Sequence, residues 1–144
     1  MSVPVWNPAV EFMEREALER LQFANLRRTV AWALKTPFYR RRLAEVGLTR
    51  PEDLSSLRDL HKLPYTTKDD LRASYPDGLL AVEPEQAVRL HTSSGTTGMP
   101  TVIYHTRHDL DHWTELVARC IIAVGATARD VFQNMTSYGM FTGG

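Results

Sequence analysis

The ten residues at positions 92–101, Thr-Ser-Ser-Gly-Thr-Thr-Gly-Met-Pro-Thr, limit what this chain can fold into. A short β-compatible run precedes them (Ala87 to Leu90) and another follows (Thr101 to Tyr104). Glycine lets a backbone turn tightly and approach a ligand. Successive N–H groups in such a turn make an anion-binding nest, and serine and threonine hydroxyls add donors that rotate to meet phosphate oxygens. The stretch therefore reads as a loop that wraps a polyphosphate. The competing reading is a plain polar linker, the usual fate of Ser/Thr/Gly clusters. Against it, the stretch is short, framed by strand-like runs, and closed by Gly-x-Pro. It is not the Walker A pattern, which needs Gly-Lys-Ser/Thr after a four-residue gap.

At 144 residues, with 43% hydrophobic and 24% charged side chains, the chain has globular rather than disordered composition. Lys+Arg and Asp+Glu are 17 each, so the basic excess of a nucleic-acid binder is missing. One cysteine, Cys120, excludes an internal disulfide. No apolar run reaches membrane-spanning length, and no secretory h-region opens the chain, so no membrane partner and a cytoplasmic location are expected.

In chain order, Asn7-Pro8 reads as a helix cap followed by the first helical position. A long helix is expected over residues 14–35, with an apolar stripe of Leu18, Leu21, Leu26, Val30, Ala33 and Leu34 widened by Phe23 and Trp32. Thr36-Pro37 stops it. A second helix runs over 38–46 and ends at Gly47. Its Arg40, Arg41 and Arg42 read as a solvated face. A small helix starts at Ser55 or Ser56, and Thr67 with Asp70 forms a capping box for another. After Glu83-Pro84-Glu85 the pattern changes to β-α-β: a strand at 87–91, the loop, a strand near 102–104, a helix over 108–124 capped by Thr106 and Asp109, and a strand at 131–135. The fold class is α/β, with a helical subregion over 1–82 and the start of an α/β domain over 83–144.

Several residues invite catalytic readings that their spacing does not support. His108 and His112 stand i,i+4, but the glutamate of the zinc motif and a third ligand are missing. Cys120 lies on the apolar stripe of its helix and reads as core. His91 stands at a strand end beside the loop, placed either to touch an anion or to be satisfied locally. Ser93 and Ser94 lack the nucleophile elbow of a hydrolase.

The motif SSGTTGMPT resembles the phosphate-binding loop of the adenylate-forming superfamily. Trp6-Asn7-Pro8, TPFYR at 36–40, LPYTTKDDLR at 63–72, YPDGL at 75–79 and YGMFTGG at 138–144 narrow the resemblance to the N-terminal part of the phenylacetate–CoA ligase family. The resemblance implies that Ser93, Ser94, Gly95, Thr96, Thr97 and Gly98 hold the β- and γ-phosphates of ATP, with Thr97 reaching Mg²⁺. It implies that Tyr138, Gly139, Phe141, Thr142, Gly143 and Gly144 line a pocket for a small aryl acid. Coenzyme A is the implied co-substrate, and a homodimer of the full-length enzyme is compatible with the family. The sequence departs from the family pattern in three places: Met99 replaces a lysine, Tyr104-His105 replaces Gly-Tyr, and Met13-Glu14 lacks a serine cap. Family members are several times longer, so the expectation is a fragment of an ATP-dependent aryl-CoA ligase, inactive by itself and exposing apolar surface. The alternative is a non-catalytic nucleotide-binding or self-association module.

Overall fold

The computed structural model describes residues 4–93 and 100–135. Its first half is built from helices: α1 (Pro8–Glu11), α2 (Arg15–Ala33), α3 (Pro37–Glu45) and α4 (Lys68–Ala73), with 3₁₀ turns at Pro51–Asp53 and Leu57–Lys62 between the last two. The expected single helix start resolves into two pieces. Asn7 does stand before Pro8, yet its side chain makes no cap bond. The first orphan donors, the N–H groups of Trp6 and Asn7, are instead taken by the Glu11 carboxylate at 3.0 and 2.6 Å. Glu14 opens α2 without a side-chain cap bond, as the missing serine led one to expect.

Helix α2 ends where proline forces it to. Thr36 is buried; its Oγ1 donates to the Ala33 carbonyl at 3.0 Å and accepts the Tyr39 N–H at 3.4 Å, closing one helix and opening the next. The carbonyls of Leu34 and Lys35 accept hydrogen bonds from Arg40. Arg42 bonds Asp70 of α4 at 2.9 Å. The arginine run is thus not simply a solvated face: two of its three members close gaps in the fold. Orphan carbonyls at a helix end need such donors.

Helix α3 ends in a Schellman turn. Gly47 has φ +76°, its N–H donates to Ala44, and the Leu48 N–H donates to Leu43. The reversal carries Leu48 into the core with Val30, Leu43 and Leu54, all nearly or fully buried. Phe23, Leu26, Ala33, Leu34, Tyr39 and Leu63 pack around them. These are mostly the residues of the α2 stripe, though Leu21 and Trp32 remain exposed. Arg27 donates twice to the Leu54 carbonyl, fastening α2 to the first 3₁₀ turn. The expected small helix takes 3₁₀ form after Ser56, organised by the buried Asp59. That carboxylate accepts from Ser55 N–H and Oγ, from Ser56 N–H and from Lys62 Nζ at 2.7 Å.

The second half opens with a 3₁₀ turn at Pro84–Gln86. Strands β1 (Ala87–Thr92) and β2 (Val102–Thr106) follow as an antiparallel pair, and then α5 (Arg107–Ala123). Thr106 and Asp109 cap α5 reciprocally, and Gly125 at φ +93° ends it in a second Schellman turn. The mixed α/β class stands, but one expected element does not. Residues 131–135 are not a strand. A strand exists only by pairing, and no described segment lies beside this one; Val131 is 98% and Phe132 80% exposed. No residue of α5 is fully buried, and Cys120, expected in the core, is exposed beside Leu116, Val117 and Ile121.

Candidate phosphate-binding hairpin

The loop is the connection of the β1–β2 hairpin. Cα partners run from Thr92 with Val102 through His91 with Ile103 and Leu90 with Tyr104 to Arg89 with His105. Beyond the last strand pair, the Ser93 N–H donates to the Thr101 carbonyl at 3.0 Å. The Thr101 N–H donates back to Ser93 Oγ at 3.2 Å. These two bonds draw the ends of the loop together. Thr92 and Thr101, on either side of the mouth, are buried at 4 and 5% exposure, so the mouth rests on a fixed base. Of the residues implied to hold phosphate, Ser93 is therefore placed, at the mouth. Ser94, Gly95, Thr96, Thr97 and Gly98 lie outside the described residues. So does the implied aryl-acid segment of Tyr138, Gly139, Phe141, Thr142, Gly143 and Gly144.

Helix α5 begins at the end of β2 away from the loop, roughly 16 Å along at about 3.3 Å per strand residue. Its N-terminal dipole therefore does not aim at the loop. The helix instead runs back along the strands and lays Trp113 against two histidines. Ring centroids are 4.9 Å apart for His91 and His105, 5.5 Å for His91 and Trp113, and 5.4 Å for His105 and Trp113. The His91 Nδ1 is shielded from water and has no hydrogen-bond partner among the described residues, so the locally satisfied role is not met there. Burial, the neighbouring His91 and Arg89 hold the His105 pKa below its ordinary value, with Asp109 opposing them.

Sequence reasoning missed a second junction. Glu115 on α5 accepts Trp6 Nε1–H at 2.7 Å and Asn7 Nδ2–H at 2.8 Å, and pairs with Arg119 at 3.1 Å. The bonds from Asn7, Trp6 and Arg119 hold its carboxyl below the usual glutamate range. Its spacing from Arg119 was visible as an i,i+4 pair, but nothing local announces partners more than a hundred residues away. The stacked rings of His108 and His112, 6.5 Å apart, gain no third ligand: no group of three metal-binding side chains occurs among the described residues. No helix among them is long and apolar enough to cross a membrane.

No family model matches the chain. Individual proteins do. The phenylacetate-coenzyme A ligase of Thermus thermophilus is 45% identical over 141 residues, which is 97% of this chain and 32% of that protein. The Pseudomonas putida enzyme of the same name is 44% identical over 98% of the chain and 31% of its own length. That of Escherichia coli is 41% identical over 97% and 33%. Among solved structures, a 2-hydroxyisobutyryl-CoA ligase in complex with 2-HIB-AMP and CoA superposes with a TM-score of 0.70 at 31% identity, covering 80% of this chain and 25% of that one. The chain spans about a third of the length of the curated relatives it matches. Over nearly its whole length, the chain is similar to the corresponding third of phenylacetate-CoA ligases, and its fold matches part of an adenylate-forming CoA ligase.

Proposed function

We propose that this chain is the ATP-binding start of an aryl-CoA ligase that acts on phenylacetate. The observation that carries the reading is the identity of 41–45% with phenylacetate-CoA ligases along nearly the whole chain. The hairpin supports it, because the bonds between Ser93 and Thr101 bring together the two ends of a sequence rich in hydroxyl side chains. In the reaction a carboxylate oxygen attacks the α-phosphorus of ATP, pyrophosphate departs, and the thiol of coenzyme A then displaces AMP from the acyl adenylate. The charge that grows on the departing pyrophosphate needs preorganised donors. Ser93, Ser94, Gly95, Thr96, Thr97 and Gly98 are assigned to it. Ser93 Oγ accepts from Thr101 yet can still donate its hydrogen, so it fits this role.

Magnesium suits the same donor set, which is oxygen-only, with Thr97 as the candidate ligand. When bound it neutralises phosphate charge. Tyr138 and Phe141 are assigned as aromatic walls of the aryl pocket, with Gly139, Thr142, Gly143 and Gly144 shaping its backbone. We place the division between a helical subregion and the α/β start at residues 82 and 83.

The test is to replace the matching third of the Thermus relative with these 144 residues and to measure AMP release from phenylacetate, ATP and coenzyme A. Turnover is expected in the chimera and none above background in the 144-residue chain alone. A folded chimera without AMP release, or clear turnover by the short chain, sinks the reading.

The exposed apolar side chains of α5 favour a second reading, a self-association module. Sedimentation of the chain tests this second reading: a monomer at every concentration removes it.

A further inference from the structure

We propose that residues Trp6 to Glu11 form a strap fastened to α5, with Glu115 as its catch, and that this strap opens locally while the helical core stays folded. Glu115 accepts Trp6 Nε1–H on one carboxylate oxygen at 2.7 Å and Asn7 Nδ2–H on the other at 2.8 Å. Both sides of the catch are held in place by bonds of their own. On the strap, the Glu11 carboxylate takes the backbone N–H groups of Trp6 and Asn7, which fixes the two residues whose side chains reach α5. On the helix, Arg119 stands about one turn further along and donates at 3.1 Å to the Glu115 oxygen that Asn7 also uses.

Trp113 and Glu115 are two residues apart, which is about 200° around a helix of 3.6 residues per turn. The hairpin therefore holds α5 on one side, through Trp113 against His91 and His105, and the strap holds it on nearly the opposite side. Burial anchors neither partner. No residue of α1 or α5 is fully buried; Phe12 is 67% exposed, and Leu116, Val117 and Ile121 are exposed as well. With little apolar surface removed from water, the bonds to one carboxylate carry the junction. A segment with few buried apolar contacts opens without the rest of the fold. The core of Val30, Leu43, Leu48 and Leu54 includes no residue of the strap or of α5, so it does not depend on the catch.

The test is hydrogen exchange on the full chain, read by NMR, in the unmutated protein, Glu115→Gln, Trp6→Phe and the double variant. Glu115→Gln keeps the shape of the catch and removes its charge. Trp6→Phe keeps an aromatic ring and removes the indole N–H. Glu115→Gln is expected to speed exchange by about tenfold at residues 113–119 of α5 and also at Val10, Glu11 and Phe12, whose N–H groups bond within the strap. Exchange in α2 should stay unchanged. Trp6→Phe should act in the same places to a smaller degree, and should add less in the Glu115→Gln background than in the unmutated chain.

Faster exchange in α5 with Val10, Glu11 and Phe12 unmoved overturns the proposal, because Glu115 then serves only its own helix through Arg119. So do additive effects of the two substitutions, or an equal acceleration in α2. The unmutated chain decides the matter even if a variant misfolds. Its Trp6 indole N–H should be protected, and should respond to added denaturant as the amides of residues 113–119 do, at a lower opening free energy than α2. An indole proton that exchanges as fast as in free tryptophan, or one released only together with α2, ends the strap reading.

Discussion

At the scale of single residues, the fold depends on a few side chains that close more than one gap. Leu54 is fully buried, and its carbonyl also receives Arg27. Leu54→Ala should cost about 2–5 kcal/mol in a denaturant titration, because the cavity it leaves is bounded by two 3₁₀ turns and α2 and cannot collapse easily. A loss well under about 1 kcal/mol would mean that this core is looser than its burial indicates. Several such residues were legible beforehand. Gly47 and Gly125 were readable as helix stops because only glycine takes their φ cheaply. The double duty of Arg40 and Arg42 was not, since which carbonyl or carboxylate an arginine finds depends on how helices cross. Cys120 misled for a related reason: a helical stripe shows which face is apolar, not whether anything covers it.

At the scale of elements, capping decides where helices start. Thr67 with Asp70 and Thr106 with Asp109 form reciprocal boxes, each joining side chain to backbone in both directions. Both were readable from four residues of sequence, because the partners are local. Thr106→Ala should lower stability by about 1 kcal/mol and loosen the first turn of α5, seen as faster amide exchange at residues 107–109. Unchanged exchange there would show that Asp109 alone holds the turn. The two strands were equally legible from β-compatible runs around a glycine loop, whereas their antiparallel pairing emerged only from the structure. The expected strand at 131–135 was not formed for the opposite reason. Alternation and β-propensity describe a candidate, whereas a strand needs a partner that the described residues do not provide.

At the scale of the whole molecule, the core gathers in the helices while the hairpin and α5 stay thinly covered. Trp32, Leu71, Val102 and Tyr104 are among the residues lining an open cleft of about 850 Å³. The two parts should therefore respond differently to acid. The His105 pKa lies below its ordinary 6.5, so the stability this ring contributes is full above that value and is lost as pH falls through the lowered one. In the helical half, bonds from Thr49 and Arg50 lower the Asp53 pKa to about 2. Lys62 and Ser55 hold Asp59 lower still. These carboxylates contribute fully above 3.8 and fail only well below it.

Acid titration should therefore disturb tryptophan fluorescence below pH 6.5 while far-UV circular dichroism keeps most of its helical signal to below 3.8. Coincident transitions would show one cooperative unit. The contact between Glu115 and the Trp6-Asn7 pair adds a matter of timing. At roughly 5–20 residues per second, a ribosome releases α5 about 5–20 s after the segment that must dock on it. For that interval Trp6 and Asn7 lack the Glu115 carboxylate that accepts from both of them.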